Sequence, residues 1–110
     1  MGIEGTAVIS SEAAFSAVNE TADNFPSVPN HLCLLAVHEA IGQFTPATMF
    51  AAAESDVVRE RTLREIRKTV TRAVRQQAPG FVFNPLLWFQ IARMVYFVVS
   101  LIWEHMHKRA

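Results

Sequence analysis

Three groups of residues in this 110-residue chain have types and spacings that can do chemistry. The densest is a run of cations: Arg59, Arg61, Arg64, Arg67, Lys68, Arg72 and Arg75, seven bases against Glu60 and Glu65 within residues 57–77. Guanidinium groups fork onto phosphate and carboxylate oxygens. This run can therefore face anionic lipid headgroups, a partner protein or a nucleic-acid backbone. The second group is Gln90, Arg93, Ser100, Glu104 and His107, polar residues set in an apolar segment. Their spacing of three, seven, four and three places them on one narrow helical stripe, with Phe97 filling the gap.

The third group is histidine beside carboxylate. His38-Glu39 opens like a zinc-peptidase motif, but Gly42 stands where the second His is required. Glu104 and His107 have the Glu-x-x-His spacing of di-iron bundles, which also need glutamates from facing helices. Glu39 and Glu54 would have to supply them, and nothing in their spacing demands it. With Lys108 and Arg109 adjacent, a solvated helix end is the simpler reading. His31 and His38 lie two turns apart and can share a face, with neutral packing at a helix edge as the default. No nucleophile, base and orienting group form a legible set. Gly2, Gly5, Gly42 and Gly80 make no phosphate loop. No catalytic residue, metal site or cofactor is assigned.

Nucleic acid stands behind lipid and protein as the target of the cationic run. Six of the seven cations are Arg, no aromatic residue is interleaved, and the net charge of the chain is zero. On a helical wheel the seven are expected to spread around most of the circumference. About five or six phosphate contacts would give a steep salt dependence. No helix-turn-helix, zinc-finger or basic-zipper pattern is present. A solvated face carrying the pair Glu60–Arg64 is the plain alternative.

The elements that must position these groups are helices. Ser10 or Ser11 caps a short helix over about 11–22, ended by Asp23-Asn24-Phe25-Pro26. A second runs over about 30–43 and is apolar nearly all round. Thr45-Pro46 is a start signal, and no Pro or Gly interrupts the chain before Ala78-Pro79-Gly80. One helix over 46–77 is therefore expected, with a narrow apolar seam at Leu63, Ile66, Val70 and Ala73. Asn84-Pro85 starts the last helix, over about 85–108. The fold class is all-α: three to four helices in an elongated or open bundle, the last strongly apolar. Residues 1–9 are expected to be flexible. Met1-Gly2-Ile3-Glu4-Gly5-Thr6 fits the myristoylation pattern formally, but an ordinary flexible start is the simpler reading. Residues 10–80 form a helical region holding the basic helix 57–77. Residues 81–110 form an apolar helix and a candidate membrane anchor. Cys33 is alone, so no intrachain disulfide forms, and its apolar neighbours suggest a buried thiol.

Charge is divided along the chain. Residues 1–58 hold no Lys or Arg and seven acids; residues 59–110 hold all ten cations and three acids. The halves carry −7 and +7, although the net charge is zero. The basic half runs into the segment 81–103, in which 18 of 23 residues are apolar. That length suffices to cross a bilayer. Trp88 at one end, with Tyr96 and Trp103 towards the other, resemble interfacial aromatics. Ten Leu, Ile, Val and Phe residues favour insertion by roughly 3–6 kcal/mol, and Arg93 opposes it by about 2.5–3.5 kcal/mol. The balance is near zero once Gln90 and Pro85 are included. The cationic helix before the segment marks the untranslocated side.

The expectation is a non-enzymatic structural or accessory subunit of a larger assembly, membrane-associated through residues 81–103. Its N-terminal region would lie on the cytoplasmic or equivalent side, and no secretory signal peptide is recognisable. Its partners would be other protein subunits, in a homo- or hetero-oligomer, and anionic lipid headgroups. The alternatives are a soluble self-associating or partner-binding helical bundle, and a nucleic-acid-binding protein using residues 57–77.

Overall fold

The computed structural model describes residues 9–78 and 84–109, and all of its elements are α-helices. They are α1 (Ser11–Asn24), α2 (Asn30–Gln43), α3 (Pro46–Glu54), α4 (Asp56–Gln77) and α5 (Pro85–Arg109). Residues 1–8 of the expected flexible start, which hold the formal myristoylation pattern, and residues 79–83, which hold Pro79 and Gly80 of the breaker, lie outside the described residues. Ile9 packs against the core.

Five helices replace the three or four expected, because the helix expected over 46–77 is two. Ser55 sits at φ −161, ψ 165, fully extended, and serves as the last cap of α3 and the first of α4. Its hydroxyl accepts from the Val58 backbone N–H at 3.2 Å. Such a cap satisfies one of the orphan donors of a helix start, so a Ser followed by Asp is a helix beginning even without Pro or Gly. The other starts follow their sequence signals. Ser10 accepts from the Ala13 N–H, Thr45 from that of Thr48 and Asn84 from that of Leu87.

α2, α4 and α5 share the core. α1, α2 and α4 all lie against α5, α2 also packs on α1 and α4, and α3 folds back on α4. One side of α5 is sealed: Ile91, Met94, Val95, Val98, Val99, Ile102 and Met106 are buried. Leu32, Cys33, Ala36, Val37 and Ala40 of α2 meet it, as do Leu63, Ile66, Val70 and Val74 of α4. Small residues at Ala17, Ala36 and Ala40 let the helices approach closely. Burial of this kind, at roughly 25 cal/mol per Å² of apolar surface, holds the bundle together. The radius of gyration is 14.0 Å and the extents are 43 × 30 × 22 Å. A compact chain of this length has a radius of about 13 Å.

Candidate interaction surfaces

The cations of α4 divide into two sets. Arg59, Arg67 and Arg75 reach towards α5 and lie over aromatic rings. The guanidinium carbon of Arg59 is 5.7 Å from the Trp103 ring centroid, that of Arg67 is 4.7 Å from Tyr96, and that of Arg75 is 4.8 Å from Trp88. Rising numbers on α4 meet falling numbers on α5, so the helices are antiparallel. Steps of eight residues on one and of seven or eight on the other advance by about 12 Å each. The result is a three-rung ladder of cation–π contacts. The aromatic residues that resembled membrane-interface anchors are therefore held against arginines of the same chain.

Arg59 is tied further. Its Nε donates to the Ala52 carbonyl at 3.0 Å, across the α3–α4 corner. Its Nη1 donates to Asp56 Oδ1 at 2.8 Å. Trp103 beneath it stacks on His107 at 4.8 Å and on Phe44 at 6.3 Å. One guanidinium thus joins α3, α4 and the end of α5.

The second set, Arg61, Arg64, Lys68 and Arg72, is exposed, as is Arg75 above its ring. These five fall within about 80° of the helix circumference at 100° per residue, opposite the buried seam. The expected spread around the circumference is thus resolved into an outer ridge of five and two inward-turned arginines. The expected pair Glu60–Arg64 does not form: Glu60 lies 3.6 Å from Arg67, and Lys68 lies 3.5 Å from Glu65. Arg61, Arg64 and Arg72 have no acid within ion-pair distance among the described residues.

The polar stripe of α5 also resolves into parts. Arg93, Glu104 and His107 are exposed, and Gln90 and Ser100 are half-buried. Arg93 leans over its neighbour Phe89, 6.0 Å from the ring centroid. A groove of about 480 Å³ beside α1 is lined by Arg93, Ser100 and Glu104 of α5, and by Glu20 of α1. Phe25 closes one wall, edge-on to Phe97 at 5.5 Å. Leu86, Phe89 and Tyr96 stand exposed on the same side of α5.

Pro85–His107 is long and apolar enough to cross a membrane, with mean hydropathy 1.7 and a third of its most apolar stretch buried. His31 and His38 do share a face, in a shallow groove with Leu34, Leu35 and Gln77. Among the described residues no three His, Cys, Asp or Glu side chains gather into a metal-holding group. Cys33 is fully buried, and burial pushes its thiol above the usual 9.0.

The ladder is the feature that sequence reasoning did not find. Its signal was present: arginines at 59, 67 and 75, and aromatics at 88, 96 and 103, repeat at matching steps. Comparison of the chain with protein-family models, curated proteins and solved structures gives no match.

Proposed function

We propose that the chain is a non-enzymatic helical binding subunit, a bundle that folds by itself and joins an assembly through its outer faces. The observation that supports this is the burial of α5. Ile91, Met94, Val95, Val98, Val99, Ile102 and Met106 are buried against α1, α2 and α4 of the same chain, and Trp88, Tyr96 and Trp103 lie beside the arginines of the ladder. A helix satisfied in this way has no need of lipid on that side. What remains outside is a basic ridge on α4 and scattered large apolar residues, including Phe15, Phe50, Leu86 and Phe89. Exposed apolar groups beside charged ones are common at protein contacts. The test is purification in plain buffer. A helical species that stays in solution without detergent is the expected result; aggregation cured only by detergent would overturn the reading.

A second reading keeps the protein at a membrane through residues 81–103, with the N-terminal region on the cytoplasmic or equivalent side. The length and hydropathy of α5 favour it, and so does the preceding cationic helix. It requires the bundle to open, because α5 cannot face lipid and its three neighbours at once. On this reading the protein resists alkaline extraction from membranes, and Arg93→Leu strengthens that resistance by removing the central charge. Release by alkali would count against it. A role in nucleic-acid binding through residues 57–77 predicts retention on DNA at about 50 mM salt, weakening steeply as salt rises.

A further inference from the structure

We infer that the basic ridge of α4 docks on the acidic outer face of α1 in a second copy of the chain. The inference rests on the binding-subunit reading and names its partner. Every ion pair among the described residues lies within α4: Arg59 with Asp56, Arg67 with Glu60, Lys68 with Glu65. Only the first joins the acidic half of the sequence to the basic half, and it does so across the boundary itself, within one turn of helix; none among the described residues reaches the acids of α1, α2 or α3, so the charge division survives folding. It becomes a division between faces. α1 and α4 each pack on both α2 and α5 but make no extensive contact with each other. They therefore flank that pair on different sides.

The outer face of α1 carries Glu12, Glu20 and Asp23, all exposed and within about 80° of the helix circumference. No cation lies on α1, α2 or α3. The outer face of α4 carries Arg61, Arg64, Lys68, Arg72 and Arg75 in a sector of similar width. The two sets also share a register. Glu12, Glu20 and Asp23 are separated by eight and three residues, and so are Arg64, Arg72 and Arg75. Read in the opposite direction, Arg72, Arg64 and Arg61 repeat the same steps. Three carboxylates can thus meet three guanidinium groups along one helix pair, whichever way the helices run. The contact joins different patches, so it is heterologous: in a pair, one copy keeps its acidic face free and the other its basic face. Such contacts extend into short chains or close into a ring. Exposed ion pairs are individually weak and screened by salt, so the association is salt-sensitive.

The test uses the full chain, with sedimentation velocity at about 20 mM and about 500 mM salt. At low salt the expected result is species larger than a monomer, growing with concentration; at high salt, monomer. Arg64→Glu with Arg72→Glu, and separately Glu20→Lys with Asp23→Lys, should each weaken self-association at least about tenfold. Mixing the two variants should restore it, because each supplies the face the other has lost. Thermal unfolding checks that both remain folded, and Arg64→Gln with Arg72→Gln replaces the first if it does not. A wild-type chain that stays monomeric in plain buffer at low salt would overturn the inference while leaving the binding-subunit reading intact. A need for detergent would overturn both. Failure of the mixture to associate, or binding of a monomeric chain to anionic vesicles or DNA through the ridge, would also overturn it.

Discussion

Arg59 shows how much one side chain can hold in a small protein. It donates to the Ala52 carbonyl, pairs with Asp56 and covers the Trp103 ring. Its side chain is only 33% exposed, so the hydrogen bond is partly shielded from water. A hydrogen bond to a charged group contributes about 1.5–3 kcal/mol and an exposed cation–π contact about 0.5–1 kcal/mol. Discounted for exposure, Arg59→Ala is expected to destabilise the chain by about 1–2 kcal/mol, read as a lower urea midpoint at unchanged slope. Arg59→Lys should recover little, because an ammonium lacks the planar fork that reaches two partners. Cys33 makes the complementary point about pH. Burial raises its thiol above 9.0, so the folded state holds the proton more tightly than the unfolded one. The stability this gives is complete below about pH 9 and is lost as pH rises through the folded value. Cys33→Ala is expected to flatten the alkaline side of the stability curve, measured by denaturation between about pH 8 and pH 11. A thiol reagent should leave Cys33 unmodified until the protein unfolds.

At the scale of elements, the instructive place is the α3–α4 corner. The reading that found four helices relied on Pro and Gly as breakers, and 47–77 has neither. Ser55 breaks the run by capping, which a sequence shows only as a small polar residue inside a helical stretch. Ser55→Ala is expected to cost about 1 kcal/mol. In a domain of this size that lowers the thermal midpoint by roughly 4–8 °C, and calorimetry would read it. The apolar seam expected at Leu63, Ile66, Val70 and Ala73 was legible because a 3.6-residue period demands a neighbour, although its last buried member is Val74 and Ala73 is only half-buried. Which neighbour was not legible, since α2 and α5 are both apolar enough to receive it. The polar stripe from Gln90 to His107 was also legible as a stripe. Its environment was not: an apolar helix looks the same in sequence whether lipid or protein covers it. The ridge on α4 was visible as composition. Its division into inward and outward arginines came from the aromatic spacing of the next helix.

For the whole molecule, α5 decides the outcome. Val98 is fully buried, whereas Leu86 is 71% exposed, although both lie in the apolar segment. If the bundle is the working form, Val98→Asp removes cooperative unfolding and most helical signal by circular dichroism, because it buries an unpaired charge. Leu86→Asp leaves both unchanged. Equal damage from the two substitutions would instead mark a helix surrounded by lipid. The place of α5 in the core also has a consequence in time. α1, α2 and α4 turn their apolar faces to residues 91–106, which a ribosome makes after all three. Until that stretch emerges the core shared by the earlier helices is incomplete, and once it emerges it belongs to the one helix among the described residues long and apolar enough to cross a membrane. Folding of this protein is thus a race between the bundle and any other receptor for the same helix. The short corner at Ser55, formed from residues already made, favours the bundle by holding α3 on α4 with the ladder's arginines in place before their aromatic partners emerge.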